Sequence, residues 1–260
     1  MLLLDKVFGR NPKGGHRLPA GLRVYAVGDI HGRADLLAAL QQMITRDAAD
    51  CPAESHLVVY LGDYLDRGAA VRDTVDTLRY GLPASLPTVH LRGNHEQLFT
   101  DFLAYPTSLA RWLSLGGTAT LLSYGVQPPL VSEYCPEAAQ EVRHALLEAI
   151  PDKHLHFLTI ELQPMLQLGD YVFVHAGLRP GVALARQREE DLLWIRDEFL
   201  VADCGPLRVV HGHTIYPAPD EHPHRIGVDT GAYATGVLSC AVLEDDRVRF
   251  LATGKEGCRG

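Results

Sequence analysis

Gly62-Asp63-Tyr64-Leu65-Asp66-Arg67-Gly68 follows the apolar run Leu57–Leu61 (LVVYL). That run has the length and β-branched content of a buried strand, and Gly68 closes the polar stretch where a loop turns. Two carboxylates and a guanidinium therefore stand at the mouth of a strand. Strand-end loops of α/β folds display functional groups, while packing is done deeper in the sheet. The heptapeptide alone fits equally well a polar turn with one surface ion pair, so the surrounding segments decide.

Upstream, Leu22–Val27 (LRVYAV) predicts a strand that ends in Gly28-Asp29-Ile30-His31-Gly32. Leu36, Leu37, Leu40, Met43 and Ile44 then recur at helical spacing within 34–49. Downstream, a helix is expected over 71–80 from Val71, Val75 and Leu78, and a third strand, Thr88–Leu91, runs into Arg92-Gly93-Asn94-His95-Glu96 and a helix through Phe102. Asp29 to Asp63 is 34 residues and Asp63 to Asn94 is 31, close to the roughly 30 residues of a βαβ repeat. The three loops should emerge on one edge of one sheet.

Residues 103–163 read as a mostly helical insertion, with Trp112, Leu113, Leu115, Leu121 and Leu122 around the Gly116-Gly117 break and helices over 138–150 and 152–162. After Pro164 short strand-like segments dominate: 165–168, 171–174, 207–210, 226–228, 237–243 and 247–252, with hairpin chemistry at Leu168-Gly169-Asp170 and Glu244-Asp245-Asp246. Residues 1–21, rich in glycine and proline, read as a loosely held leader, and 22–255 as a single domain.

Two later strands again end at histidine, in Val174-His175-Ala176-Gly177 and Val210-His211-Gly212-His213-Thr214. One histidine after a strand is usually structural, but here the pattern recurs. Asp29, His31, Asp63, Asn94, His175 and His213 form an oxygen and imidazole ligand set without thiolate, sufficient for two divalent ions. Ions roughly 3.5–4 Å apart need a bridging group, and Asp63 is the candidate. Such a pair generates hydroxide near neutral pH and clamps phosphoryl oxygens, which makes a phosphoester the natural substrate. Arg67 offers phosphate a planar bidentate contact. His95 is the candidate general acid for the leaving oxygen, with Asp66 orienting it.

Composition narrows the function classes. The 260 residues carry a formal net charge of −8 and no long basic run, which argues against nucleic-acid binding and a nuclease. Five cysteines without a C-x-x-C pair indicate neither a disulfide framework nor a thiolate zinc site and point to a reducing cytoplasm. The apolar opening Met1–Leu4 is interrupted by Asp5 and Lys6, so neither a signal peptide nor a membrane span is expected.

GDIHG (28–32), GDYLDRG (62–68), RGNHE (92–96), HAG (175–177) and GHT (212–214), in this order, resemble the PPP family of metal-dependent serine/threonine protein phosphatases within the calcineurin-like metallophosphoesterases. The resemblance implies a mixed α/β fold, a four-layer β-sandwich of two mixed sheets flanked by helices, with a dinuclear centre at one edge. It implies Asp29, His31 and Asp63 on one metal, Asp63, Asn94, His175 and His213 on the other, Asp66 and His95 as the acid pair, and Arg67 on phosphate. Arg196, in Leu192–Asp197, resembles the region that supplies a second phosphate-contacting arginine, and Asn94 also borders the phosphate. His211 is the rival of His213, and Arg92 is better read as paired with Glu96 or another loop acid. Manganese is the first choice of metal, with iron, zinc, nickel or cobalt as alternatives.

The short chain resembles the compact bacterial and phage branch. A neighbouring branch, the symmetric diadenosine tetraphosphate hydrolases, usually lacks the second acid of GDYLDRG and has Asp in place of Glu96. Asp66 and Glu96 therefore favour a cytoplasmic phosphatase that acts on phosphoserine or phosphothreonine, and in some substrates phosphotyrosine, of a phosphoprotein by direct attack of metal-activated hydroxide. The alternatives are hydrolysis of diadenosine tetraphosphate or another small phosphoester and, from a different class, a non-catalytic phosphoprotein-binding module.

Overall fold

The computed structural model describes residues 16–50, 53–203 and 205–254. In chain order the first half comprises β1 (Leu22–Val27), α1 (Ala34–Ala49), β2 (Ser55–Tyr60), α2 (Val71–Tyr80), β3 (Thr88–His90), α3 (Asn94–Ala104), α4 (Leu109–Trp112), α5 (Thr118–Ser123), α6 (Pro136–Ala149) and α7 (Asp152–His156). The second half adds β4 (Met165–Leu168), β5 (Tyr171–Val174), α8 (Glu189–Trp194), α9 (Asp197–Leu200), β6 (Arg208–His211), β7 (Asp220–Glu221), β8 (Arg225–Gly227), α10 (Ala232–Thr235), β9 (Ser239–Glu244) and β10 (Arg247–Ala252).

Two five-stranded mixed sheets result, ordered β10-β9-β1-β2-β3 and β4-β5-β6-β8-β7. β1, β2 and β3 are mutually parallel, and β9 closes against β1 in the antiparallel sense. In the second sheet β5, β6 and β8 are parallel. Alternation along each strand sends Val24, Ala26, Val59, Leu61 and Ala241 toward Leu166, Phe173, Val210 and Ile226 of the other sheet. The opposite residues Tyr25, Val27, Val58 and Tyr60 pack under α1, α2 and the helices of 94–157, whereas Val172, Val174 and Val209 pack under Leu192, Ile195 and Phe199. The layers are helices, sheet, sheet, helices, as the resemblance implies.

Several boundaries move for local reasons. α6 begins at Pro136, not Ala138, because Cys135 Sγ accepts the Ala138 N–H at the N-cap and proline is tolerated at the first helical position. α7 ends regularly at His156 and runs on as a wide turn over Phe157–Glu161. The short α8, α9, α10 and β7 had no periodic signal. Leu18, within the expected leader, is buried in the inter-sheet core and donates its N–H to the Asp245 carbonyl, while 1–15 lie outside the described residues. Cys135 and Cys240 are free thiols, and Cys51, Cys204 and Cys258 lie outside the described residues. No helix among the described residues is long and apolar enough to cross a membrane.

Asp47 ties α1 to the first sheet, accepting from the Tyr25 hydroxyl at 2.7 Å and from Arg23 at 3.1 Å, with Arg249 also in contact. Burial alone would raise its carboxyl, but the Tyr25 hydroxyl and the Arg249 and Arg23 guanidiniums hold it below the usual carboxylate range. A depressed folded-state pKa stabilises above the unfolded value, and that gain is lost as pH falls through the folded value. Asp47→Asn is expected to cost about 1–3 kcal/mol at pH 7. The difference from wild type in urea midpoints should narrow below the ordinary aspartate pKa; a pH-independent difference would refute the charge assignment.

Candidate metal centre

Because β1, β2 and β3 are parallel, the loops 28–33, 61–70 and 91–93 leave the same sheet edge. The ends of β5 and β6 meet them from the second sheet: His175 Nδ1 lies 2.9 Å from the Leu61 carbonyl, and the His213 N–H donates to both Asp29 carboxylate oxygens at 3.1 Å. Asp63 is the hub. Its Oδ2 lies 3.4 Å from His31 Nε2 and 3.8 Å from His95 Nε2, and its Oδ1 lies 3.4 Å from His175 Nε2. Potential ligand atoms of His31, Asp63 and His95, and again of Asp63, His175 and His213, fall within 4.8 Å of one another, with Asp63 common to both groups. Asn94 Oδ1 stands 2.8 Å from His175 Nε2, beside the second group.

One carboxylate organises this edge. Glu96 accepts the backbone N–H groups of Gly93, Asp63, Tyr64 and Leu65 at 2.8–3.2 Å, so the loop after β2 is tied to the start of α3. The tie requires close backbone approach: Gly62 has φ 107°, and a Cβ there would lie 2.6 Å from the Gly93 amide nitrogen. Every non-glycine residue with positive φ among the described residues, except Asp245, is a candidate site residue: His31 (46°), Asp63 (53°), Asp66 (69°), Arg67 (64°) and His213 (61°). Left-handed backbone at side chains other than glycine is costly and persists where surrounding contacts over-determine it.

The electrostatics suit cations. Asp29, Asp63 and Asp229 are at most 3% exposed. Burial and the charges of Asp229 and Asp63 raise the Asp29 carboxyl well above its ordinary range, and burial, with Asp63 adding to it, raises Asp229 to about 6. Burial lowers His31 to about 3, His213 to about 2, and His175 as well. These are neutral imidazoles with free lone pairs among mutually repelling carboxylates. The buried His213 Nε2 has no hydrogen-bond partner among the described residues. Such a donor set fits divalent ions that accept oxygen and nitrogen.

At the rim, His95 Nδ1 contacts Asp66 Oδ2 at 2.7 Å, so the expected acid pair is assembled. Arg67 Nη2 lies 3.1 Å from His95 Nε2, and its guanidinium covers the Tyr233 ring at 4.7 Å. Arg196 donates to the His213 carbonyl at 3.1 Å, beside the second donor group. Arg92 pairs with Glu189 at 3.0 Å, because the Glu96 carboxylate is occupied by backbone donors. His211 is fully buried edge-on against Phe199, with Nδ1 3.0 Å from the Gly212 carbonyl.

Four neighbours of the site escape the motif reading. Asp229 lies two residues past β8, in Gly227-Val228-Asp229-Thr230-Gly231, a strand-end position like those of Asp29 and Asp63. Tyr233 stacks edge-on against His31 at 5.4 Å. Trp112 and Thr120 both donate to the Asp66 carboxylate, at 3.0 and 2.5 Å, from a helical segment more than forty positions away, and no local pattern announces them.

A two-sheet sandwich with histidine and carboxylate groups gathered around one shared aspartate defines a metal-dependent hydrolase. The family described as calcineurin-like phosphoesterase matches residues 22–254, and the chain belongs to it. That makes it a phosphoester hydrolase of a dinuclear-metal family. Similar solved structures include a protein provisionally described as a diadenosine tetraphosphatase, at 22% identity over 90% of this chain and 95% of that one, TM-score 0.53. The cold-active protein-tyrosine phosphatase of a psychrophilic Shewanella species is 16% identical over 89% and 80%, TM-score 0.51. A Saccharomyces cerevisiae protein serine/threonine phosphatase is 15% identical over 92% and 82%, TM-score 0.52. At these identities the likeness concerns the fold. No curated protein matches the chain.

Proposed function

We propose that the chain is a protein phosphatase of the PPP type, in its compact bacterial and phage branch, that hydrolyses phosphoserine and phosphothreonine esters in the cytoplasm. The observation that carries this reading is the His95–Asp66 contact of 2.7 Å beside the Asp63-centred donor groups. An alkoxide is a poor leaving group, and a positioned imidazole supplies its proton. Asp29, His31, Asp63, Asn94, His175 and His213 would hold two divalent ions, with manganese preferred. When bound, such ions supply Lewis acidity toward phosphoryl oxygens and lower the pKa of water.

The chain's own residues do the rest. Arg67, beside His95, and Arg196, beside His213, offer guanidinium N–H groups to phosphoryl oxygens. A phosphate that draws Arg67 away from His95 frees Nε2 to take up a proton, a charge that Asp63 and Asp66 favour against burial, and Nε2–H then gives that proton to the departing oxygen. Against the burial that raises the Asp229 carboxyl, the charges of Arg67 and Arg196 both act to lower it, which places the two guanidiniums near the same donor groups. Beside Arg67 lie the exposed side chains of Leu122, in the same hollow, and Tyr233, under the guanidinium. This favours a peptide-borne monoester over a dinucleoside polyphosphate.

The test is a substrate panel on the purified protein, after chelation and with single metals added back. Activity is expected to vanish on chelation and return with manganese. The kcat/KM for a phosphoserine peptide should exceed that for diadenosine tetraphosphate by at least about tenfold, 1.4 kcal/mol. The reverse order would assign the chain to dinucleotide hydrolysis, and no metal-dependent turnover of any phosphoester would leave the binding-module reading.

A further inference from the structure

We propose that Trp112 and Thr120 are positioning residues for the proton-donating pair, so that the helical segment 109–123, not the sheet edge, fixes the geometry of leaving-group protonation. The proposal rests on the phosphomonoesterase reading and deepens it.

Asp66 is fully buried. Its carboxylate faces three donors: His95 Nδ1 at 2.7 Å, Trp112 Nε1 at 3.0 and 3.2 Å, and Thr120 Oγ1 at 2.5 Å. The Asp66 N–H in turn donates to Thr120 Oγ1 at 3.1 Å, so one threonine grips both backbone and side chain. A carboxylate has about four lone-pair sites; these contacts leave it little freedom to rotate. Trp112 is itself fixed, stacked on Phe102 at 5.0 Å and edge-on to Phe99 at 5.8 Å, with its polar edge aimed at Asp66.

The Gly116-Gly117 break lets the segment approach this closely. Gly116 has φ 117° and accepts the Arg67 N–H at 3.2 Å; a Cβ there would lie 2.8 Å from Arg67 Cγ, and one at Gly117 would lie 2.6 Å from the Trp112 indole. The segment thus holds the consecutive left-handed residues Asp66 and Arg67 through Trp112, Thr120 and the Gly116 carbonyl, with Thr120 bonding both the backbone and the carboxylate of Asp66. His95 is oriented through Nδ1 by a carboxylate that the segment orients. None of Trp112, Gly116, Gly117 or Thr120 belongs to the motifs that mark the metal donors.

The experiment compares wild type, Trp112→Phe, Thr120→Val and Thr120→Ser on a phosphoserine peptide and on 4-nitrophenyl phosphate, whose leaving group needs no proton. For Thr120→Val and Trp112→Phe we expect kcat on the peptide to fall roughly 10–100-fold, with KM nearly unchanged and a much smaller loss on the aryl ester. Thr120→Ser should restore the peptide rate. In an Asp66→Asn background neither substitution should cost anything further, because the carboxylate they hold is gone. In metal-free protein, the downfield proton resonance of the His95 Nδ1–H should survive in Thr120→Ser and move in Thr120→Val. Equal losses on both substrates, full additivity with Asp66→Asn, or no loss at all would overturn the proposal. If His95→Asn keeps its leaving-group dependence while these variants lack it, only the positioning role fails. If His95→Asn lacks it too, the acid-pair reading fails with it.

Discussion

Asp63→Asn leaves a folded protein with reduced metal content and a kcat/KM on any phosphoester lowered by about 10³-fold or more, several kcal/mol at 1.36 kcal/mol per decade. The substitution keeps the side chain's shape, and its Oδ1 can still accept the His95 N–H, a bond of 3.0 Å in the wild type. What it removes is the one charge common to the His31–Asp63–His95 and Asp63–His175–His213 groups. The same change removes repulsion on the buried Asp29 carboxyl, but it also removes an attraction: burial alone would raise the Asp63 carboxyl, and the His175, His95, His31 and His213 imidazoles outweigh it and hold that group below the usual carboxylate range. A depressed carboxyl stabilises the fold above its unfolded-state pKa, so at pH 7 metal-free Asp63→Asn should unfold at a lower temperature than metal-free wild type. Added metal should stabilise the wild type far more, since a ligand that binds only the native state adds stability by mass action. Calorimetry with and without chelator, beside metal analysis, checks both signs; equal metal content and full activity would sink the bridging role.

The second large effect belongs to His95. His95→Asn should lower kcat on a phosphoserine peptide by about 10²–10⁴-fold, the usual contribution of a positioned acid. On 4-nitrophenyl phosphate the loss should be far smaller. The residue is fully buried between Asp66 and Asp63, and its Nε2 is the atom that Arg67 touches. Rates on a series of aryl phosphates of increasing leaving-group pKa would show the dependence directly: the variant's slope should steepen relative to wild type. An equal loss across the series would mean that His95 acts through the metal site, which it also borders.

The strands were legible because they are short, apolar and punctuated, and because β1–β2–β3 repeat one strand–loop–helix unit at near-constant spacing, whereas their assembly into a two-sheet sandwich was implied only by the family resemblance. The gathering of Asp29, His31, Asp63, Asn94, His175 and His213 followed from the same rule, since parallel strands deliver their ends to one edge. The supports of that edge were not legible. Glu96 takes four backbone N–H groups, a role that depends on how closely Gly62 and Gly93 approach rather than on any spacing. Trp112 and Thr120 reach Asp66 through tertiary packing of a segment broken by Gly116-Gly117. Asp229 is different: it obeys the strand-end rule and was there to be read.

Arg67 has φ 64° at an exposed position of the loop. Left-handed backbone costs a side-chain-bearing residue roughly 1–2 kcal/mol relative to the right-handed form, whereas glycine adopts it freely. A designer optimising this protein for heat tolerance alone would arrive at Arg67→Gly and obtain a sturdier molecule that had lost its grip on phosphate. Screens that rank variants of this chain by survival after heating will thus enrich for disarmed enzymes at this position, and a turnover assay has to run beside them.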